Sequence, residues 1–287
     1  MKKLTLPAIV LGLVLLSAAA SLADGDIYVG GPWGTRITSL PYPISAPGSY
    51  YLGSNLTYAG TGDGITIAPG VNHVTLDLMG FSLNGSGSGR YGIYLNVSRN
   101  VEIRNGTVTG WGTGIRADSD LDILHRIINV RVVGNNGGIF LSGRGHLVKG
   151  CEVTASAANN AIFISKEGTV SGCTVKFGDY LGINTHGGII SDNVVTGTGS
   201  EGPRYGIVPY DFGTLIKGNQ VSGCVWGLSC TTYGVNVIGN TVYAASGAFG
   251  IGMFDDYSNL LDQNTVTGNG THYSFSSFSK AAVRNNY

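Results

Sequence analysis

The sequence predicts an all-β fold, a single-stranded parallel β-helix solenoid of about nine to ten coils of 21–24 residues. Three observations predict it. Glycine supplies 47 of the 287 residues, about double its usual ~7%, without a collagen-like triplet, so turns follow one another closely. A small residue followed by an aliphatic one recurs at Gly64-Ile65, Gly92-Ile93, Gly114-Ile115, Gly138-Ile139, Ala161-Ile162, Gly182-Ile183, Gly206-Ile207, Gly227-Leu228 and Gly250-Ile251. Later in each unit an Asn or Cys stands two residues before an aliphatic, as in Cys151-Glu152-Val153, Cys173-Thr174-Val175, Asn219-Gln220-Val221, Asn240-Thr241-Val242 and Asn264-Thr265-Val266.

Each unit holds about three short runs in which apolar residues alternate, such as Gly92-Ile93-Tyr94-Leu95, Val101-Glu102-Ile103 and Thr107-Val108-Thr109. Alternation with period two means strands. The unit is too short for a propeller blade and has no helical period. Coils of equal length then stack in parallel at about 4.8 Å, with one apolar alternate of every strand in a continuous core. The Asn/Cys slot becomes a ladder of side chains lying one above another.

The chain opens differently. Lys2 and Lys3 precede the apolar run Leu4 to Leu16 and the small residues Ser17 to Ala23, with Ser21 and Ala23 placed for cleavage before Asp24. This reads as a secretory signal peptide over 1–23, followed by a cap and lead-in strands over 24–60 and the β-helix over 61–287. The mature protein is expected in the periplasm or outside the cell. No later run is apolar for long enough to span a bilayer. Charged residues are only 12% of the chain and the net charge is zero, which argues against a nucleic-acid partner.

The chain resembles the right-handed parallel β-helix proteins of the pectate-lyase-like superfold, and within them the set with NosD-like repeats. The resemblance covers roughly Ile37 to Tyr287. Its most specific stretch is Pro47-Gly48-Ser49-Tyr50-Tyr51-Leu52 followed by Asn72-His73-Val74-Thr75-Leu76-Asp77-Leu78. It implies a right-handed coil and a fold that hosts lyases, hydrolases, epimerases and binding proteins alike.

If the aliphatic residue after each Gly points inward, its successor points outward. That column reads Tyr94, Arg116, Phe140, Phe163, Asn184, Val208, Ser229 and Gly252, and the next reads Asn96, Asp118, Ser142, Ser165, His186, Tyr210, Thr231 and Phe254. Asp120, Lys166, Glu167, Asp211, Asp255 and Asp256 lie just beyond. Exposed rings beside charges suit a polysaccharide, since ring faces stack on sugars and charged groups meet hydroxyls or uronate carboxylates. The candidate binding residues are therefore Tyr94, Arg116, Asp118, Phe140, Phe163, Asn184 and Tyr205. A stacked apolar stripe beneath a loop explains the same pattern.

For chemistry the candidates are Lys166, His186, Tyr210 and Asp211, a base and cations of the kind a uronate lyase or epimerase uses. Tyr205-Gly206-Ile207-Val208-Pro209-Tyr210-Asp211 resembles the Tyr-Gly-x-Asp-Pro-His-Asp/Glu motif of mannuronan C5-epimerases. Tyr205, Gly206, Pro209 and Asp211 match, while Val208 and Tyr210 replace that family's Asp and His. The hydrolases' Asn-Thr-Asp is met only by Asn184-Thr185-His186. Asp255-Asp256 would accept Ca²⁺, although a solvated turn is the plainer reading, and no cofactor or metal site is firmly implied. His73, His125, His146 and His272 read as scattered surface residues.

Cys151 and Cys173 share a ladder slot in adjacent coils, which suits either a disulfide or two stacked thiols, and Cys224 and Cys230 admit a small loop-closing bridge. The Asn-x-Ser/Thr sites at Asn55, Asn84, Asn96, Asn105 and Asn269 arise readily in such a repeat. The function expected is polysaccharide binding along one outer face without strong catalysis. A lyase or epimerase of acidic glycans is the alternative, and a structural surface spacer the second. The last coil, ending Arg284-Asn285-Asn286-Tyr287, has no obvious cap and admits end-to-end oligomers.

Overall fold

The computed structural model describes residues 34–156, 160–178, 180–198, 204–253, 259–268, 270–275 and 282–287, and the side chains of 244–248 are not among them. Residues 1–33, which include the expected signal peptide over 1–23, and Phe254, Asp255, Asp256 and Asn269 lie outside the described residues. Within Gly34–Tyr287, which forms one unit, every described element is a β-strand and every pairing is parallel. The chain winds through about nine turns.

Each turn carries three strands, so three parallel sheets run the length of the solenoid. The small–aliphatic pairs open the strands of the first sheet. Ile65, Ile93, Ile115, Ile139, Ile162, Ile183, Ile207, Leu228 and Ile251 follow one another rung by rung. All nine are fully buried. The second sheet stacks Ile103, Ile127, Val148, Val170, Ile190, Ile216, Val237 and Leu261. The third stacks Val108, Val132, Val153, Val175, Val195, Val221, Val242 and Val266. β-branched residues dominate because they fit a pleated surface buried on one side. The residue before each first-sheet aliphatic is small for a steric reason. A Cβ on Gly138 would lie 2.1 Å from the carbonyl oxygen of Ala161 on the next rung.

The lead-in strands are already part of this stack. Thr35–Ile37 pairs with Gly48–Leu52, Tyr42–Ile44 with Ile65–Ile67, and Leu56–Tyr58 with the strand Ser82–Leu95.

The Asn slot forms a buried ladder at the corner before the third sheet. Asn193, Asn219, Asn240 and Asn264 are all within 1% of full burial. The Oδ1 of Asn219 accepts from both the backbone N–H and the side-chain amide of Asn193, at 3.0 and 2.9 Å. Asn240 does the same for Asn219, Asn264 for Asn240, and Asn286 for Asn264. Each amide also donates back to a carbonyl of the preceding rung, as Asn219 does to Ile190 at 2.9 Å. Every donor and acceptor is thereby used, which is what makes a buried polar row tolerable. Cys173 and Cys151 continue the slot with thiols directed at Val148 and Ile127 carbonyls. All four cysteines are unbridged and buried, so Cys151 and Cys173 are stacked thiols here, and Cys224 and Cys230 do not close a loop.

Two histidines expected at the surface are core residues. His125 is fully buried and His146 is 1% exposed, and their rings stack at 5.0 Å and 18° on adjacent rungs. They adjoin the fully buried Asp122, whose carboxylate accepts from the backbone N–H groups of Ser98 and Ser119 at 2.6 and 3.0 Å. Their 21-residue separation is one coil length, so the rings occupy the same corner in successive turns. No described helix is long and apolar enough to cross a membrane.

Candidate functional site

The outer face of the first sheet carries the candidate residues, in the expected register for the first column. Tyr94, Arg116, Phe140, Phe163, Asn184 and Val208 are consecutive partners. The second column slips. A bulge between Thr185 and His186 pairs His186 with Asp211, not with Tyr210. Tyr210 becomes the extra residue and stands 46% exposed.

The rings do not lie open as sugar platforms. The Arg116 guanidinium sits 3.8 Å over Phe140, Phe140 stacks on Phe163 at 4.3 Å and 21°, and Phe163 meets the His186 ring edge-on at 5.8 Å. His186 and Tyr210 follow at 5.3 Å. Each face is taken by the next rung's side chain, because rungs spaced by ~4.8 Å bring flat groups close to stacking distance. What the column turns outward is ring edge, guanidinium and phenol. At its N-terminal end Arg90 lies 4.4 Å over Tyr91 and 5.7 Å from Tyr94, and the Tyr91 hydroxyl reaches Asp118 at 3.5 Å. Arg116 is ion-paired to Asp118.

Asn184 is not an available binding group. It is 1% exposed, and its amide donates to the Val208 carbonyl at 2.8 Å. Val208, at the position of the epimerase Asp, is also buried and brings no acid. Tyr205 belongs to a second stack, with Trp226 at 6.4 Å and Phe249 beyond it at 3.9 Å. Trp226 and Phe249 escaped the sequence reading, which followed only the residues after each inward aliphatic. These rings stand two residues before the inward Ile207, Leu228 and Ile251, where strict alternation would bury them; the intervening Gly206, Gly227 and Gly250 face the core valines instead, so alternation breaks and the rings are half-buried.

Three clefts open along this face. The first, of about 130 Å³, is lined by Thr113, Arg116, Gly137, Gly138, Phe140, Asn160 and Tyr180. The second, about 340 Å³, begins at the same Tyr180 and includes Leu181, Tyr205, Val208, Tyr210, Ser229 and Thr231. The third, about 180 Å³, gathers Arg144, Lys166, Glu167, His186, Gly187, Asp211 and Phe212. Tyr180, 43% exposed, stands between the first two.

In the third cleft His186 Nδ1 lies 3.9 Å from Asp211 Oδ2. Partial burial lowers the His186 pKa, opposed by Asp211 and aided by Lys166, so at neutral pH the ring is a neutral proton acceptor. Burial raises the Tyr210 phenol, which stays protonated. Lys166 and Asp120 pair at 3.5 Å with both side chains exposed, a weak contact. Arg144 has no carboxylate within ion-pair distance among the described residues. Lys166, His186, Tyr210 and Asp211 are thus brought together, while Tyr94, Arg116 and Asp118 form a separate cluster at the other end of the column. No group of three or more His, Cys, Asp or Glu side chains among the described residues converges as a metal site.

No protein-family model matches the chain, and no curated protein matches it. Solved structures do. The lidless DFA-IIIase of Arthrobacter chlorophenolicus A6 is 13% identical with a TM-score of 0.51, covering 84% of this chain and 62% of that one. The chain therefore spans about 62% of the length of that structure. The A-module of the Azotobacter vinelandii mannuronan C-5 epimerase AlgE6 is 14% identical with a TM-score of 0.49, covering 93% of this chain and 92% of that one. The catalytic domain of a GH87 alpha-1,3-glucanase in complex with nigerose is 11% identical with a TM-score of 0.38, covering 88% and 62%. Parallel pairing in every described strand, three stacked sheets and the first of these likenesses give one architecture, and the chain is a right-handed parallel β-helix protein.

Proposed function

We propose that this protein binds an extended polysaccharide along the outer face of the first sheet, without strong catalysis. The observation that supports it is the run of three adjoining clefts, joined by Tyr180 between the first and second. Tyr210 lines the second cleft and Asp211, its neighbour in sequence, lines the third. A long polymer needs such a series of small amphipathic sites rather than one deep cavity. The open rings are Tyr180 and Tyr210, at 43% and 46% exposure, and they replace Phe140 and Phe163 as the expected sugar contacts. Affinity electrophoresis through gels containing pectate, alginate, hyaluronan or a neutral β-glucan tests the reading. Retardation by at least one polymer is expected, with affinity lowered about ten-fold, or ~1.4 kcal/mol, in the Tyr180→Ala/Tyr210→Ala double variant. Unretarded migration through all four would end the proposal.

The third cleft favours a second reading, a lyase or epimerase of acidic glycans. The neutral His186 would take the proton beside a uronate carboxyl, Arg144 and Lys166 would offset the carboxylate charge, and the protonated Tyr210 would return a proton. In the lyase form the leaving glycosidic oxygen departs as a new carbon–carbon double bond forms. Ultraviolet absorbance of that unsaturated product, and NMR of treated polymer for the epimerised sugar, decide it. Activity retained in His186→Ala would remove His186 from the chemistry.

A further inference from the structure

Phe212 lies at the corner where the chain passes from the first sheet to the second, between the strands Tyr205–Asp211 and Leu215–Lys217. The pairings that flank this corner put one residue of each coil in a row. Gly168 pairs with Gly188, His186 with Asp211, and Leu215 with Asn236. Glu167, Gly187, Phe212 and Tyr233 therefore follow one another. Phe212 is 60% exposed, and among the described large apolar side chains only Tyr287 is more so. One face of its ring lies on Tyr233 of the next coil, at 5.3 Å and 10°. The other residues of the third cleft come from the same coil as Phe212 or from earlier ones, so the opposite face of the ring is turned to the cleft.

The row of side chains is interrupted at Gly187. Crowding does not require this. A Cβ there would meet nothing nearer than the Phe212 carbonyl oxygen at 3.6 Å, whereas one on Gly188 would lie 2.0 Å from the Gly168 carbonyl oxygen. The backbone does not require it either. Gly187 has φ of 79°, and Leu124 and Glu167 carry side chains at φ of 58° and 46° at the same place in earlier coils. Glu167 and Phe212 are two coils apart, about 9.6 Å at the spacing of parallel strands. One ring touching a neighbour on each face needs ~7–8 Å. The gap beside Gly187 thus has the thickness of a single ring, within a cleft of about 180 Å³. Charges around the cleft balance, Arg144 and Lys166 against Glu167 and Asp211. They offer donors and acceptors to hydroxyls without a net demand for an ion.

Resting on the polysaccharide reading above, we infer that the third cleft is a stacking slot. One sugar ring occupies the place that a side chain at residue 187 would take. Its C–H face lies on Phe212 and its hydroxyls meet Lys166, Glu167 and Asp211. Phe212, backed by Tyr233, is a sugar-binding ring in addition to Tyr180 and Tyr210.

Titration calorimetry of the protein with hexasaccharides of polygalacturonate, alginate, hyaluronan and laminarin tests this. Phe212→Ala and Phe212→Leu are each expected to weaken the best-bound hexasaccharide about ten-fold, and Phe212→Trp to preserve its affinity. Gly187→Asn, which tolerates a positive φ, is expected to weaken it as much by filling the gap. The Phe212 variants decide the matter if that substitution disturbs the turn. Proton NMR supplies a readout specific to stacking, upfield ring-current shifts of the sugar C–H protons that Phe212→Ala abolishes. The inference is overturned if Phe212→Ala or Phe212→Leu binds as tightly as the wild type, or if those shifts persist in Phe212→Ala. A dimer in sedimentation that Phe212→Ala dissolves would assign the exposed ring to a second copy and overturn it too. Glycan binding at Tyr180 and Tyr210 would then stand, and only the slot would fall. Absence of wild-type binding to all four hexasaccharides, with retardation by no polymer in the gels, removes the polysaccharide reading itself.

Discussion

His146 shows how a ring can be held in one protonation state by its backbone. His146 Nδ1 accepts from the His125 backbone N–H at 3.1 Å while its Nε2 donates to the Ser142 carbonyl at 2.7 Å. A proton on Nδ1 would set two donors against each other. Burial, with the adjacent His125, lowers the His146 pKa to about 4 from 6.5. The unfolded chain therefore binds protons more readily between these values. Stability is complete above pH 6.5 and is lost as pH falls toward 4, by up to about 3 kcal/mol from this residue. Urea titrations at pH 7 and pH 4 check this: His146→Gln should show a smaller loss than the wild type, and equal losses would contradict it. Cys224 and Cys230 are pushed up to about 12 by burial, so a maleimide should label neither in the native protein and both after unfolding. Histidine burial was legible only in the 21-residue spacing, which a search for chemical motifs passes over.

At the scale of the element, the Asn ladder and the inward aliphatics were legible because each rung repeats the same requirement at the same place. Asn219→Ala removes the partner of the Asn193 backbone N–H and of the Ile190 carbonyl, both buried. It should cost about 2–4 kcal/mol in urea unfolding, and substantially less for Asn286→Ala at the last rung. Equal costs at both positions would mean that ladder neighbours do not reinforce one another. The slip at His186 was not legible. One extra residue in the strand Tyr205–Asp211 leaves the inward Ile183–Ile207 pairing intact and changes only what lies outside. The ring column was found in sequence but misread, since spacing shows that rings are adjacent and not that their faces are spent on one another. Phe163→Ala should accordingly lower thermal stability, because a stacked pair is lost, by about 0.5–1.5 kcal/mol beyond the lost burial.

Across the whole molecule, each turn touches only its neighbours, so stability is a sum along one dimension. Amide hydrogen exchange should be slowest in central rungs such as Val148, Val170 and Ile190, and faster toward Thr35–Ile37 and Ala282–Arg284, the latter exposed throughout. Uniform protection from end to end would contradict this. The composition and repeat length gave the architecture because a solenoid has few alternatives once the coil length is known. The first two clefts escaped, since both depend on Tyr180 and the first also on Asn160, which lie outside the repeated positions, whereas Lys166, Glu167, His186 and Asp211 of the third were legible from the register.

The Asn ladder has one more property. Every one of its carbonyl oxygens points back toward the preceding rung, from Asn286 to Asn264, Asn240, Asn219 and Asn193, and the first of them caps the Cys173 backbone N–H at 2.9 Å. The amide dipoles are aligned, as peptide units are in a helix. The row thus has a direction, its acceptor oxygens turned toward Cys173 and one N–H of each amide toward Asn286, so each coil offers its neighbour above a different group from the one it offers its neighbour below.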